Sequence, residues 1–146
     1  MNLPPNPLAI ERRVAFSQTD AAGLIHFSTY FVLMEEAEAE LFRALGLKLL
    51  VNEPDKTMGF PRVDCQCRFR RPVHFDEMVR IELSIEAIDS GRIHYRFVFF
   101  NSGGERCASG SMSTASAKRT AVGELASTPL SEEVGHQLQA WKNQSA

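Results

Sequence analysis

Past Ser28 the apolar residues Tyr30, Met34, Ala37, Leu41 and Leu45 recur at steps of three and four, with Glu35, Glu36, Glu38, Glu40 and Arg43 filling most of the positions between. That period gathers the apolar set on one stripe of a long helix. Ser28 or Thr29 can cap its start, and Gly46 supplies the usual stop. Ahead of the helix, Phe16 closes a strand and Ser17 to Ile25 forms a loop that holds one acid, Asp20. A carboxylate held just before a helix N-terminus is a plausible catalytic arrangement.

The rest of the chain reads mostly as strands. Residues 1 to 7 carry three prolines and read as an extended lead-in. Leu8 to Phe16 alternates, with Ile10, Val14 and Phe16 on one side and Glu11 and Arg13 on the other. Leu47 to Met58 contains Asn52, Pro54, Asp55 and Lys56 and reads as a connecting loop. From Arg62 to Arg70 the alternation is strict, with Val63, Cys65, Cys67 and Phe69 against Arg62, Asp64, Gln66, Arg68 and Arg70. That pattern predicts one buried and one wet face. Pro72 ends this strand and Asp76 sits in the following turn.

Glu77 to Ala87 places Val79, Ile81, Leu83, Ile85 and Ala87 on one face, and Asp89-Ser90-Gly91 signals a tight turn into a strand from Arg92 to Phe100. Aromatics on both sides of that strand suggest a central position covered on both faces. Asn101 to Gly104 is a second hairpin turn. Glu105 to Lys118 is built of small side chains at almost every position, which suits a strand closely approached by a helix axis or a ligand. Thr120 to Thr128 reads as a linker. A short helix from Ser131 to about Trp141 carries Val134, Leu138 and Trp141 on one stripe. Strands beside a segregated helix argue for α+β, with about five antiparallel strands wrapped around the one long helix.

Length and composition permit one domain over residues 1–146, with an ordinary share of hydrophobic (44%) and charged (23%) residues. A net charge of −2 gives no footprint for nucleic-acid binding. No apolar run reaches bilayer length, and the first residues lack a cationic region followed by an apolar one, so the expectation is a cytoplasmic protein with no membrane partner. Cys65, Cys67 and Cys107 show no metal-ligand spacing and read as reduced core thiols. No metal and no cofactor is expected.

The run F-x-x-T-D-A-A-G-L-I-x-F-x-x-Y from Phe16 to Tyr30, with Glu35 following on the helix, resembles the 4-hydroxybenzoyl-CoA thioesterase family of the hotdog fold. The stretch V-D-C-Q-C-R-F-R-R-P-V-H-F-D-E resembles that family's second strand, proline and following acid, and the resemblance covers roughly residues 9 to 119, with the C-terminal helix at 131–141 outside it. It implies a sheet wrapped around the long helix, dimers joined edge to edge or dimers of dimers, and active sites between subunits. The implied activity is hydrolysis of an acyl-CoA thioester. The acid of the T-D-x-x-G loop matches Asp20, as nucleophile or as general base on water, and helix N-terminal amides at His26 to Ser28, Phe27 foremost, match the oxyanion hole. Free N–H groups at a positive helix end suit such a charge. Two positions depart from the pattern. Gln18 stands where many members have an acid, and Phe27 where one branch has histidine, with His26 where that branch has tyrosine.

Each candidate also has a plainer reading. Asp20 by residue type is a turn residue bonding its own backbone. His26 is either a carbonyl-polarising side chain or an exposed loop histidine, and Glu35 either a catalytic acid or one of several solvated helix glutamates. Gly23, Phe27 and Tyr30 are expected to meet substrate, although Tyr30 is also the first core residue of the helix stripe. Arg68, Arg70, Arg71, Arg92, Lys118 and Arg119 are candidates for the coenzyme A phosphates, with Arg70, Arg92 and Lys118 preferred, or else a solvated strand face. A non-catalytic acyl-CoA-binding module and a hotdog hydratase or dehydratase using His26 with Glu35 remain the alternatives.

Overall fold

In the computed structural model, which describes residues 2–144, the helical period is realised as α1 (Thr29–Ala44). Its stripe of Tyr30, Leu33, Met34, Ala37 and Leu41 is buried. The partner surface is an antiparallel sheet of β1 (Leu8–Arg13), β4 (Arg62–Phe69), β5 (Met78–Asp89), β6 (Arg92–Phe100) and β7 (Arg106–Ala115), in the order β1-β5-β6-β7-β4. The inward residues Val79, Ile81 and Leu83 of β5 and Ile93, Tyr95, Phe97 and Phe99 of β6 are fully buried against the helix, as period-2 alternation requires. Helix α2 (Glu132–Lys142) adds Leu138 and Trp141 to the core, and Ser131 caps it by accepting the Val134 N–H at 3.2 Å. Among the described residues no helix is long and apolar enough to cross a membrane.

In the small-residue strand β7, Gly110 is the point at which the helix comes close. A Cβ added at Gly110 would collide with the Met34 methyl group and would stand 2.6 Å from the Gln66 carbonyl oxygen. The missing side chain is what lets α1 lie this close to the sheet.

Several expectations need correction. The first strand ends at Arg13, because Gln18 Oε1 accepts the Ala15 N–H at 2.8 Å and closes a 3-10 turn over Phe16–Gln18. Phe16 is thereby turned outward to 78% exposure, where its ring meets Phe75 edge-on at 5.5 Å. Glu38 belongs to the buried stripe and not to the wet flank, since Arg62 from β4 reaches in to bind it. Strand β4 has no fully buried face: it is an edge strand paired only with β7, so Val63, Cys65 and Phe69 stay exposed and Cys65 is no core thiol. Strand β6 is central, but Val98 and Phe100 on its outer face are only half-buried.

The supposed loop 47–58 and linker 120–128 instead supply β2 (Val51–Glu53), β3 (Lys56–Gly59) and β9 (Leu125–Ser127). With β8 (Ala117–Arg119) these form a small second sheet, β2-β3-β8-β9. Runs of three or four residues are too short to show a period. The proline-rich lead-in is tied to α2, with Trp141 Nε1 donating to the carbonyl oxygens of Pro4 (3.1 Å) and Pro5 (3.2 Å) and Asn6 Nδ2 donating to the Trp141 carbonyl at 3.1 Å.

Candidate active site

The loop between the 3-10 turn and α1 folds on its own polar atoms. Asp20 N–H donates to the Leu24 carbonyl at 2.7 Å, and Gly23 N–H to the Asp20 carbonyl at 3.0 Å. Gly23 holds φ +78°, a left-handed conformation that a residue with a Cβ adopts only under strain. Asp20 Oδ1 accepts the N–H groups of Ala22 (2.9 Å) and Leu24 (3.1 Å). The turn reading of Asp20 therefore describes one oxygen only. Oδ2 has no partner among the described residues, and the side chain is exposed.

The loop is stitched to the segment after β4. Ile25 N–H donates to the Val73 carbonyl at 2.8 Å and Phe75 N–H to the Gly23 carbonyl at 3.0 Å. Glu77 holds that segment in turn, accepting from His74 N–H (3.0 Å), Ser102 N–H (3.0 Å) and the Ser102 hydroxyl (2.8 Å). Burial acts to raise the pKa of Glu77, but these donors and the His74 ring outweigh it and hold the carboxyl below its usual value.

At the start of α1 the amides are spoken for, with one exception. His26 N–H donates to the Gln18 carbonyl at 2.8 Å, Thr29 N–H to the His26 carbonyl at 2.9 Å and Tyr30 N–H to the Phe27 carbonyl at 3.3 Å. Ser28 N–H donates to His26 Nδ1 at 3.2 Å. Only Phe27 N–H, of the five from His26 to Tyr30, has no partner among the described residues. Neither expected cap operates through its hydroxyl: Ser28 Oγ bonds His26 Nδ1 at 2.7 Å, and Thr29 Oγ1 donates to the Gln18 carbonyl at 3.1 Å.

These atoms border a groove of about 580 Å³. One wall carries Asp20, His26, Phe27 and Tyr30, and the other runs from Phe69 at the end of β4 through Arg70, Arg71 and Pro72 to Val73. The two walls meet where the Tyr30 ring lies 5.2 Å from Phe69, and behind it Tyr30 packs edge-on at 5.0 Å against the buried Phe99. Burial pushes the Tyr30 hydroxyl well above its ordinary pKa, so it stays protonated. Burial likewise pushes the Cys67 and Cys107 thiols up to about 11. At neutral pH neither is a thiolate, so neither supplies a nucleophile.

Of the expected catalytic and substrate-binding residues, Asp20, His26, Phe27, Tyr30 and Arg70 come together here, and Gly23 shapes the loop beside them. Arg70 makes no ion pair among the described residues, whereas Arg71 Nη1 reaches Glu105 at 3.4 Å. Within one protomer Glu35, Arg92 and Lys118 lie outside the groove. Glu35 turns to Arg62 at 3.4 Å, Arg92 lies at the β5–β6 turn, and Lys118 is on β8. Phe69, Pro72 and Val73 join the lining without having been expected there. The strand-then-proline pattern locates their segment but gives no sign that it folds against the Asp20 loop. No cluster of metal-ligating side chains occurs among the described residues.

Known proteins share this architecture. A family model described as Thioesterase-like superfamily matches residues 14–138. The 1,4-dihydroxy-2-naphthoyl-CoA hydrolase of Thermosynechococcus vestitus is 29% identical over 105 residues, 71% of this chain and 72% of that protein. The protein of the same name from Prochlorococcus marinus (strain MIT 9303) is 33% identical over 103 residues, 64% of this chain and 68% of its own. Among solved structures, a gentisyl-coenzyme A thioesterase superposes with a TM-score of 0.76 at 28% identity, over 90% of this chain and 99% of that one.

Proposed function

The chain belongs to the thioesterase-like superfamily and is an acyl-CoA thioesterase, and we propose that it cleaves aromatic acyl-CoA thioesters with Asp20 as the reacting carboxylate. The observation that carries this reading is that one groove is lined by both Asp20, whose Oδ2 has no partner among the described residues, and Phe27, whose N–H just ahead of α1 has none among them either. Thioester hydrolysis needs those two functions: a base or nucleophile, and a donor for the charge that develops on the carbonyl oxygen. As base, Asp20 takes a proton from the water whose oxygen attacks the carbonyl carbon. As nucleophile, it attacks that carbon itself and water later hydrolyses the anhydride. In both cases the carbonyl oxygen gathers charge opposite Phe27 N–H at the positive end of α1, and the departing thiolate takes up a proton.

The aromatic preference is supported by the walls of Phe27, Tyr30 and Phe69, and by relatives whose names specify hydroxylated aromatic acyl groups. Arg70, which lines the groove and makes no ion pair among the described residues, suits a coenzyme A phosphate better than Arg71, which already faces Glu105. The unpaired edge of β4, with Val63, Cys65 and Phe69 exposed along it, supports assembly with a second copy by sheet extension. Free-thiol release measured over aliphatic, benzoyl and hydroxybenzoyl CoA thioesters tests the reading. The expected result is faster turnover of the aromatic set. A flat response, or preference for aliphatic chains, contradicts it.

A further inference from the structure

One polar side chain in the groove, the imidazole of His26, has no part in the thioester cleavage derived for Asp20 and Phe27. Its Nδ1 is committed. Ser28 N–H lies 3.2 Å away and can only donate, and the Ser28 hydroxyl at 2.7 Å can donate to the same nitrogen, so the two Ser28 donors together favour a ring that accepts at Nδ1. A neutral ring that accepts at Nδ1 carries its proton on Nε2. Nε2 has no partner among the described residues, and the ring lies among the side chains lining the groove. Stacking on Phe27, at 4.5 Å between centroids and 29° between planes, fixes its orientation further. A small local device thus presents one oriented N–H donor next to the residue whose own amide is assigned to the thioester oxygen.

Resting on the reading of the groove as an aryl-CoA site, we propose that His26 Nε2–H is a specificity-determining donor that recognises an oxygen ortho to the thioester on the aromatic ring, and that Ser28 is the positioning residue that fixes its tautomer. The ortho position is inferred from His26 and Phe27 lining the same groove side by side. In an aroyl thioester an ortho oxygen sits about 2.6 Å from the carbonyl oxygen, the span of an internal O–H···O bond. With the carbonyl oxygen at Phe27 N–H, the ortho oxygen lies close enough to it to share the stretch of groove lining that His26 and Phe27 form. A para substituent points away from both.

The test compares kcat/KM for 2-hydroxybenzoyl-CoA and 4-hydroxybenzoyl-CoA in the full-length wild type, His26→Phe, Ser28→Ala and Ser28→Thr. One net hydrogen bond corresponds to about a tenfold factor. The wild type should favour the ortho isomer by about that much, and His26→Phe should bring the two within about twofold. Ser28→Ala should reduce the ratio and Ser28→Thr should keep it. The 15N spectrum of the free protein supplies a readout that does not depend on turnover, with the proton on Nε2 in the wild type and a tautomer mixture in Ser28→Ala. An unchanged ratio in His26→Phe, an equal loss on both isomers, or a proton on Nδ1 in the wild type overturns the proposal while leaving the aryl-CoA reading standing. A wild type that cleaves neither isomer overturns both.

Discussion

Arg62 Nη2 lies 2.7 Å from Glu38 Oε1, joining a fully buried carboxylate on the central helix to the first residue of the edge strand β4. Arg62 Nη1 also donates to the Phe60 carbonyl at 2.8 Å, and Nη2 approaches Glu35 at 3.4 Å. Around the pair, Glu38 Oε2, the Tyr95 hydroxyl and Thr114 Oγ1 are buried without a well-formed hydrogen bond among the described residues. Tyr95 is near enough to Glu38 to influence its ionisation. Burial nevertheless dominates and raises the Glu38 pKa against the opposing pull of Arg62.

A carboxyl whose folded pKa lies above its unfolded 4.5 binds its proton more tightly when folded. The contribution of Glu38 to stability is therefore greatest below pH 4.5 and declines as pH rises through the folded value. Glu38→Gln removes this slope, so the stability difference between the two proteins, followed by urea unfolding, should shift towards the variant as pH rises. Glu38→Ala strands Arg62 and opens a cavity, and should cost about 3 kcal/mol. Curves for wild type and Glu38→Gln that run parallel at every pH would refute the assignment.

Glu77 gives the opposite sign. Its carboxyl is held below the ordinary value, so its contribution is present above pH 4.5 and is lost as pH falls through the folded value. Three donors converge on it. Glu77→Ala should therefore cost about 2 kcal/mol near neutral pH, with the gap closing in acid. The same variant releases the segment carrying Pro72 and Val73, and its effect on KM reports how firmly that groove wall must be held.

Gly110→Ala tests the close approach of helix and sheet. The added methyl meets the Gln66 carbonyl oxygen at 2.6 Å as well as the Met34 methyl group. The backbone cannot yield cheaply, and a loss of about 2 kcal/mol in unfolding free energy is expected. An unchanged urea midpoint would mean that the small-residue strand has some other cause.

Legibility in the sequence tracks the strength of the periodic signal. The α1 stripe, the inward face of β5 as far as Ile85 and that of β6 can be read directly, because a half-buried element writes its period into its side chains, whereas a bulge after Ile85 takes Ala87 out of the expected alternation. Strand β4 shows the limit. Its alternation is as regular as any in the chain, yet at the sheet edge its apolar face is only partly covered in the protomer, with Cys67 half-buried and Val63, Cys65 and Phe69 exposed. Glu38 escapes a sequence reading because residue type alone assigns glutamate to the wet side, and its Arg62 partner lies 24 residues away in sequence. The site divides the same way. Asp20, Gly23 and Phe27 lie in one contiguous motif and are legible, whereas Phe69 to Val73 join the groove only through tertiary hydrogen bonds such as Ile25 N–H to the Val73 carbonyl.

Asp20 is the proposed reacting carboxylate, and Asp20→Asn separates its two roles. The amide oxygen can still accept from Ala22 N–H and Leu24 N–H, so the turn and the fold should survive, but the basic carboxylate is gone. Free-thiol release from an aryl-CoA by this variant, with its thermal unfolding midpoint recorded alongside, is the most direct test. The expected result is a fall of at least about a hundredfold in kcat at an unchanged midpoint. Near-normal turnover in a folded Asp20→Asn protein would contradict the assignment.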